Sequence, residues 1–456
     1  MMTLMRLGLT RDLRKICQDF SPAVPRSTGA LAAARARLTV RRVRVSSPPV
    51  GRLSPVGRGH HARRGASAMT FTMFCVLLLM SYGGVGVLQE SARRRCRPVR
   101  LRPGSEDSSR PWPSVDILIP SYNEEPDELD ACLSAVAVAQ YAGPLRVYVV
   151  DDGSARSDER DVVYGRIAGR PGWSVVRLTD NRGKRRAQHA GFVLGRSSLV
   201  LCVDSDTRIG PGAVTALVRH FEDAEVGAVS GVLHVRTGGV LTRLCALEYL
   251  MADGYRARQS VDEAVLCCSG AFSMYRRSAL EAVWPAYQEH RFLGVPCRHG
   301  EDLYLTSLLL GVGLRTRFAA EAEAWTTAPD RLGRYVRQQL RWSRSFWREL
   351  PRLVGQLRSR PARLSLDVAM GAVPPLLYVI PLLLWTAESP THAAVAAAVF
   401  VMAESALTFF RTGGHALWVR YAALRVLVQI PVQVWALFTV YDQAWMTRDP
   451  VRPSAQ

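Results

Sequence analysis

The feature that most constrains this chain is a series of short apolar runs that each stop at an acidic or amide-bearing loop. Val115-Asp116-Ile117-Leu118-Ile119-Pro120 enters Ser121-Tyr122-Asn123-Glu124, and Leu145–Val150 enters Asp151-Asp152-Gly153-Ser154. Leu199–Val203 enters Asp204-Ser205-Asp206. Between them, Leu129–Ala139 and Arg185–Leu194 carry helical periodicity, and Trp173–Leu178 reads as a further strand. Strand–helix–strand alternation with near-continuous Val, Ile and Leu predicts a Rossmann-like α/β domain. Its sheet is mostly parallel and covered on both faces. In such sheets ligands sit beyond the carboxyl ends of the strands, where these acidic loops fall.

The chain is 456 residues long, enough for two or three domains, and its apolar residues are spread unevenly. Met69–Leu88 is a nearly uncharged run of about 20 residues, the length of a membrane span. Leu366–Thr386, Thr391–Phe410 and Tyr421–Trp445 read as three more spans, the second holding Glu404 and the third Arg425 and Asp442. From Leu332 to about Arg360 the chain is rich in Arg, Trp and Leu at helical spacing, the pattern of an amphipathic helix lying in a membrane interface.

The formal net charge of +20 could suggest a nucleic-acid partner. Residues 1–64, however, hold 14 Lys and Arg against 2 acidic residues, so +12 of it lies in a Ser/Pro/Gly-rich leader. The remainder includes juxtamembrane clusters such as Arg93-Arg94-Arg95 and Arg97, which set membrane orientation. The charge therefore argues for a lipid bilayer, not a nucleic acid, as partner. Met69 immediately precedes the first span, and translation is expected to start there; the rival reading of residues 1–68 is a basic tail on anionic lipid. The nine cysteines include no CxxC pair, and Cys267-Cys268 reads as packing beside a site.

Each polar loop admits a chemical reading and a plainer one. Asp204-x-Asp206 offers two hard oxygen donors for a divalent cation bridging a diphosphate, although Asp-x-Asp is common in turns. Asp151-Asp152 could accept from a ribose or base, or cap a helix. Lys184 and Arg185, after Gly183, could meet phosphate oxygens or form a solvated basic loop. Asp302 beside Glu301 suits a general base, with helix capping as the competitor. Gln338, Arg341 and Trp342 lie at i, i+3 and i+4, making one helix face suited to a sugar or phosphate, or to an interfacial belt. No P-loop or dinucleotide fingerprint occurs.

Taken in order, these residues resemble the processive, membrane-integrated family 2 glycosyltransferases, in the branch of hyaluronan synthases and nodulation-type chitin-oligosaccharide synthases. The resemblance rests on Arg337-Gln338-Gln339-Leu340-Arg341-Trp342-Ser343-Arg344-Ser345, on Cys267-Cys268-Ser269-Gly270 and on Met274-Tyr275-Arg276-Arg277. It covers residues 113–350 and, by layout, the flanking spans. It implies a GT-A catalytic domain, inversion at the anomeric carbon, a UDP-sugar donor (UDP-GlcNAc, with or without UDP-GlcA) and Mg²⁺ or Mn²⁺. It further implies that Asp151 or Asp152 holds the uridine and that Asp204 with Asp206 holds the metal and diphosphate. Lys184 assists at the nucleotide, and Asp302, beside Glu301, deprotonates the acceptor. Tyr122, Asn123, Glu124, Arg185, Ser269, Gly270, Gln338, Arg341 and Trp342 complete the donor and acceptor contacts, while Trp445 and Arg448 form a gating segment.

The expected organisation is a leader (1–68), a first span (69–88), a basic linker (89–112), a cytosolic catalytic domain (113–330), an interface region (331–365), three spans (366–446) and a tail (447–456). The growing polysaccharide would leave through the spans of a multi-pass plasma-membrane enzyme. Ala271 stands where relatives commonly have proline, and one span precedes the catalytic domain, as in the chitin-oligosaccharide branch, whereas typical hyaluronan synthases have two. Rival readings are a non-processive transferase acting on a lipid-linked acceptor and, from another class, a basic membrane transporter or scaffold.

Overall fold

The computed structural model describes residues 111–443, apart from 359, 389 and 413–415. The expected first span, Trp445 and Arg448 lie outside the described residues.

The α/β region runs β1 (Val115–Ser121), α1 (Pro126–Ala137), β2 (Leu145–Asp151), α2 (Asp158–Ile167), β3 (Trp173–Arg177), α3 (Lys184–Leu194), β4 (Leu199–Val203), β5 (Arg208–Ile209) and α4 (Ala213–Arg219). It continues through β6 (Val226–Val235), α5 (Val240–Ser260), β7 (Phe272–Arg276), α6 (Arg277–Gln288), a hairpin of β8 (Arg291–Phe292) and β9 (Val295–Pro296), α7 (Glu301–Gly311) and β10 (Arg315–Thr326). Helices then take over: α8 (Leu332–Leu357), α9 (Ala362–Glu388), α10 (Pro390–Thr412), α11 (Trp418–Leu424), a π-helical turn (Arg425–Gln429) and α12 (Ile430–Phe438).

Eight strands form one sheet in the order β3-β2-β1-β4-β7-β6-β10-β5. β3, β2, β1 and β4 are mutually parallel, as is β6 with β10. β7 runs antiparallel between β4 and β6. The apolar runs are buried on both faces: Ile117, Ile119, Val149, Leu201 and Val203 are all fully inaccessible. Each such side chain contributes about 1.5–3 kcal/mol of burial as an upper bound. Asp116 interrupts the first run and is nonetheless fully buried. Ser197 donates to it through its N–H (2.9 Å) and hydroxyl (2.6 Å), and Arg277 pairs with it at 2.7 Å. Register pairs Ser121 with Asp151 and Asp151 with Arg177, so the loops after β1 and β2 leave from one edge.

Two of the expected late spans are helical throughout, and the third, Tyr421–Trp445, is helical as far as Phe438. Their charges are met: Asp367 near the start of α9 accepts from Arg258 (2.6 Å) and Gln259 (3.0 Å) on α5, and Glu404 on α10 pairs with Arg425 at 3.0 Å. Among the described residues one helical stretch, Trp418–Phe438, is long and apolar enough to cross a membrane; Ala394–Phe409 is a shorter apolar one.

Candidate active site

The loop after β1 is stitched to its neighbours by its own side chains. Asn123 sits at φ 45°; its N–H donates to Ser154 Oγ (2.8 Å), and its side-chain oxygen accepts from the Ala155 N–H (2.9 Å). Glu124 is buried and accepts from the Ser205 hydroxyl, which joins this loop to the turn carrying Asp204 and Asp206. Tyr122 is half-buried beside them.

The adjacent carboxylates after β2 have separate jobs. Both Asp152 oxygens are spent on the loop leading into α3: Oδ1 accepts from the Arg182 N–H (2.9 Å) and Oδ2 from the Gly183 N–H (2.7 Å). Asp151 accepts from the Ser154 N–H at 2.9 Å and lines a cavity of 280 Å³ with Ser154, Arg160, Tyr164 and Arg177. The capping reading therefore fits Asp152, and the open position falls to Asp151.

The centre of the site is built around Lys184 at the first turn of α3. Its Nζ lies 2.5 Å from Asp204 Oδ1, 3.4 Å from Glu301 Oε1 and 3.3 Å from the Gly270 carbonyl. Burial disfavours the Lys184 ammonium, but Asp204, Glu301 and Asp302 outweigh it and hold its pKa above the ordinary value. Burial pushes Asp204 up; Lys184 pulls it back, and Asp206 adds to the push. Asp206 accepts from Thr327 Oγ1 at 2.6 Å.

Glu301 and Asp302 open α7, whose N-cap Gly300 is left-handed at φ 84°. A Cβ on Gly300 would overlap Ser345 Oγ, so a side chain there would part α7 from α8. Asp302 Oδ2 accepts from the Gly270 N–H (3.2 Å) and Oδ1 from the Leu303 N–H (2.8 Å). A Cβ on Gly270 would meet Lys184 Nζ at 3.2 Å and Asp302 Cβ at 3.3 Å, so glycine lets the loop slot between them. The neighbouring carboxyls are driven apart. Burial alone would raise both. Lys184, a backbone N–H, Arg185 and Arg341 overcome it at Glu301 and hold that group low, whereas burial and the Glu301 charge keep Asp302 high. One stays ionised and the other binds a proton readily, the division of labour that acid–base chemistry needs.

From α8, Arg341 faces the fields of Glu301, Asp204 and Asp302. Trp342 is 38% exposed, with its ring 6.2 Å from Tyr249 of α5. Gln338 is half-buried on the same helix, while the adjacent Gln339 is buried and donates to Glu248.

Arg185 donates to the Cys297 carbonyl (3.1 Å), meets His290 Nδ1 (3.0 Å) and lies over the Tyr287 ring, while its charge still reaches Glu301. Ser269 spends its N–H on Ser230 Oγ (3.2 Å) and its carbonyl on Ser273 Oγ (2.7 Å), shaping the turn that presents Gly270. Among the described residues no group of three or more His, Cys, Asp and Glu side chains could hold a metal ion, so Asp204 and Asp206 stand as a pair. Burial raises the Cys267 and Cys268 thiols, as packing residues require. Glu248, Tyr249 and Thr327 carried no signal in the sequence, since they reach the site from α5 and from the loop after β10 with no local motif.

A mostly parallel sheet with an acidic turn after β4 and a carboxyl pair facing it is the arrangement of the GT-A fold. A solved structure agrees on the fold: a mannosyltransferase of Pyrobaculum calidifontis, in complex with GDP-Man and Mn²⁺, aligns with a TM-score of 0.52 at 19% identity, covering 78% of this chain and 99% of that one. The description "Glycosyltransferase like family 2" matches residues 113–345. An N-acetylglucosaminyltransferase of Mesorhizobium japonicum is 40% identical over 365 residues, 77% of this chain and 86% of that protein. Another from Rhizobium meliloti is 36% identical over 351 residues, 75% and 82% of the two chains. The chain belongs to glycosyltransferase family 2 and is a hexosyltransferase.

Proposed function

We propose that the chain transfers N-acetylglucosamine from UDP-GlcNAc, with inversion, onto the non-reducing end of a growing chitin-like oligosaccharide. The observation that carries this reading is the convergence of Lys184, Asp204, Gly270, Glu301 and Asp302 at the open edge of the sheet. Arg341 faces the same carboxylates from α8. The choice of sugar rests on the relatives, which are named N-acetylglucosaminyltransferases; this favours a product of N-acetylglucosamine alone over hyaluronan.

Asp302 takes the acceptor hydroxyl proton as the oxygen bonds to C1; the C1–O bond to the diphosphate breaks, and its electron pair leaves with UDP. Asp151 receives the nucleoside in the cavity beside Tyr164 and Arg177. Arg341 and Lys184 oppose the charge that develops on the diphosphate. The donor set of Asp204 and Asp206 suits a hard divalent cation completed by phosphate oxygens, and Mg²⁺ or Mn²⁺ there would supply further neutralisation. Trp342, at the exposed end of the site, offers its ring to the acceptor sugar.

The same reading places the catalytic region on the cytosolic face of the plasma membrane, with α8 at the interface and the apolar helices that follow crossing the bilayer. Trp418–Phe438 supports it by length and composition. UDP release from a panel of UDP-hexoses, on membranes carrying the chain, tests the donor. Release from UDP-GlcNAc above the others supports the reading; preference for another hexose overturns it.

A further inference from the structure

Glu248, on α5, takes no part in the chemistry above, yet its carboxylate is met by donors from two other elements. Gln339 Nε2 donates to both oxygens (3.0 and 3.2 Å), Gln429 Nε2 to one (2.6 Å), and the Tyr335 hydroxyl to the other (3.3 Å). Gln429 Nε2 also reaches Gln339 Oε1 at 3.1 Å, closing a triangle between α5, α8 and the π-helical turn of Trp418–Phe438. Tyr335, Gln339 and Gln429 are all buried.

An apolar contact would hold these helices together more cheaply, because burying a carboxylate costs desolvation free energy. A carboxylate bonded by directional donors adds something that apolar packing lacks, a fixed rotational setting and register. The setting matters here because Gln339 is two and three residues from Arg341 and Trp342. Tyr249, the neighbour of Glu248, sets its ring against Trp342. We propose that Glu248 is a positioning residue for glycosyl transfer: acting through Gln339, it fixes the rotation of α8, and with it Arg341 and Trp342, relative to the carboxylates at the sheet edge. The same bond set couples the site to Trp418–Phe438.

The charged and titratable groups facing Glu248 are Arg425, Tyr335 and Tyr421 from the helices packed on α5, and Cys245 and Tyr249 from α5 itself. Arg425 is shared with Glu404. Burial pushes the Glu248 carboxyl up to about 7, against the pull of Gln339, Arg425, Tyr335 and Gln429.

The choice of substrate in the test rests on the proposed donor. Full-length chain in detergent is assayed with UDP-GlcNAc for the wild type, Glu248→Gln, Glu248→Ala, Gln339→Leu and the Ala/Leu double variant. Because a displacement of about 1 Å in a positioning element costs up to roughly 100-fold, kcat in each single variant should fall roughly 10- to 100-fold with donor KM little changed. The double variant should lose no more than the worse single, since both cut one connection. A wild-type kcat in Glu248→Gln, or losses that multiply in the double variant, overturns the proposal. Amide hydrogen exchange over residues 332–345 gives a readout independent of the donor. It should quicken at least several-fold in Glu248→Gln and Gln339→Leu, and unchanged exchange also overturns the proposal. A wild type inactive on UDP-GlcNAc would refute the donor assignment instead, leaving the exchange measurement to decide the role of Glu248.

Discussion

Asp302→Asn isolates the proton transfer from everything else the site does. Asparagine keeps the shape of the side chain, and its one oxygen can still accept from the Leu303 N–H, now at 2.8 Å. Its amide then faces the Gly270 N–H, which sits 3.2 Å from Oδ2, so one hydrogen bond worth about 1 kcal/mol is lost. Removing a charge next to Glu301 relieves repulsion and offsets part of that loss. The fold and the Lys184–Asp204 pair should therefore survive, with thermal unfolding close to that of the wild type. What disappears is the group that takes the acceptor proton. A positioned base contributes about 10²–10⁴-fold, or roughly 2.7–5.4 kcal/mol of barrier at 1.36 kcal/mol per decade. Initial rates of UDP release with a chitin-oligosaccharide acceptor should fall by that factor at saturating donor. Donor KM should stay within about threefold, because the lost interaction acts in the transition state. A folded Asp302→Asn protein that keeps more than about a tenth of the wild-type kcat refutes the assignment.

Further outcomes follow from the same geometry. Lys184→Met leaves Asp204 and Glu301 without their shared ammonium; with partial solvent access at Asp204 the cost should be about 1–3 kcal/mol, read as a lower melting temperature. Trp342→Ala should lower the melting temperature modestly, because the ring is only 38% exposed and packs near Tyr249, and should raise acceptor KM roughly 10-fold as about 1.5 kcal/mol of stacking is lost. Chelation with EDTA should abolish transfer, and Mn²⁺ or Mg²⁺ should restore it in the wild type but not in Asp204→Ala or Asp206→Ala. Glu248 should make stability fall with rising pH. Its folded pKa, about 7, lies above the ordinary 4.5, so the folded chain holds the proton more tightly and that contribution fades as pH rises from 4.5 through 7. Melting temperatures over this range should slope downward in the wild type and flatten in Glu248→Gln.

The parallel half of the sheet was legible because its strands are buried on both faces and their sequences show it directly. The loops at their ends followed, since register places Ser121, Asp151 and Arg177 side by side. β7 was less legible: Phe272–Arg276 pairs antiparallel with strands far away in sequence, and nothing local encodes that direction. Composition could not separate Asp151 from Asp152 either; the difference lies in which one meets the N–H groups of residues 182 and 183. Arg185 looked equivalent to Lys184, but the helix that starts at Lys184 turns their side chains to different neighbours, the sheet edge for one and the His290 hairpin for the other. Within Gln338-Gln339, spacing singled out the residue sharing a face with Arg341, while the buried hydrogen bonds fell to its neighbour.

Product analysis separates N-acetylglucosamine polymerisation from single transfer and from hyaluronan synthesis. Membranes carrying the chain are given UDP-GlcNAc and Mn²⁺, with and without UDP-GlcA, and the products are sized by mass spectrometry. A ladder of N-acetylhexosamine increments should form from UDP-GlcNAc alone, unaffected by UDP-GlcA and degraded by chitinase. A product that forms only when both donors are present and is digested by hyaluronidase, or no product longer than a single transfer, would contradict N-acetylglucosamine polymerisation.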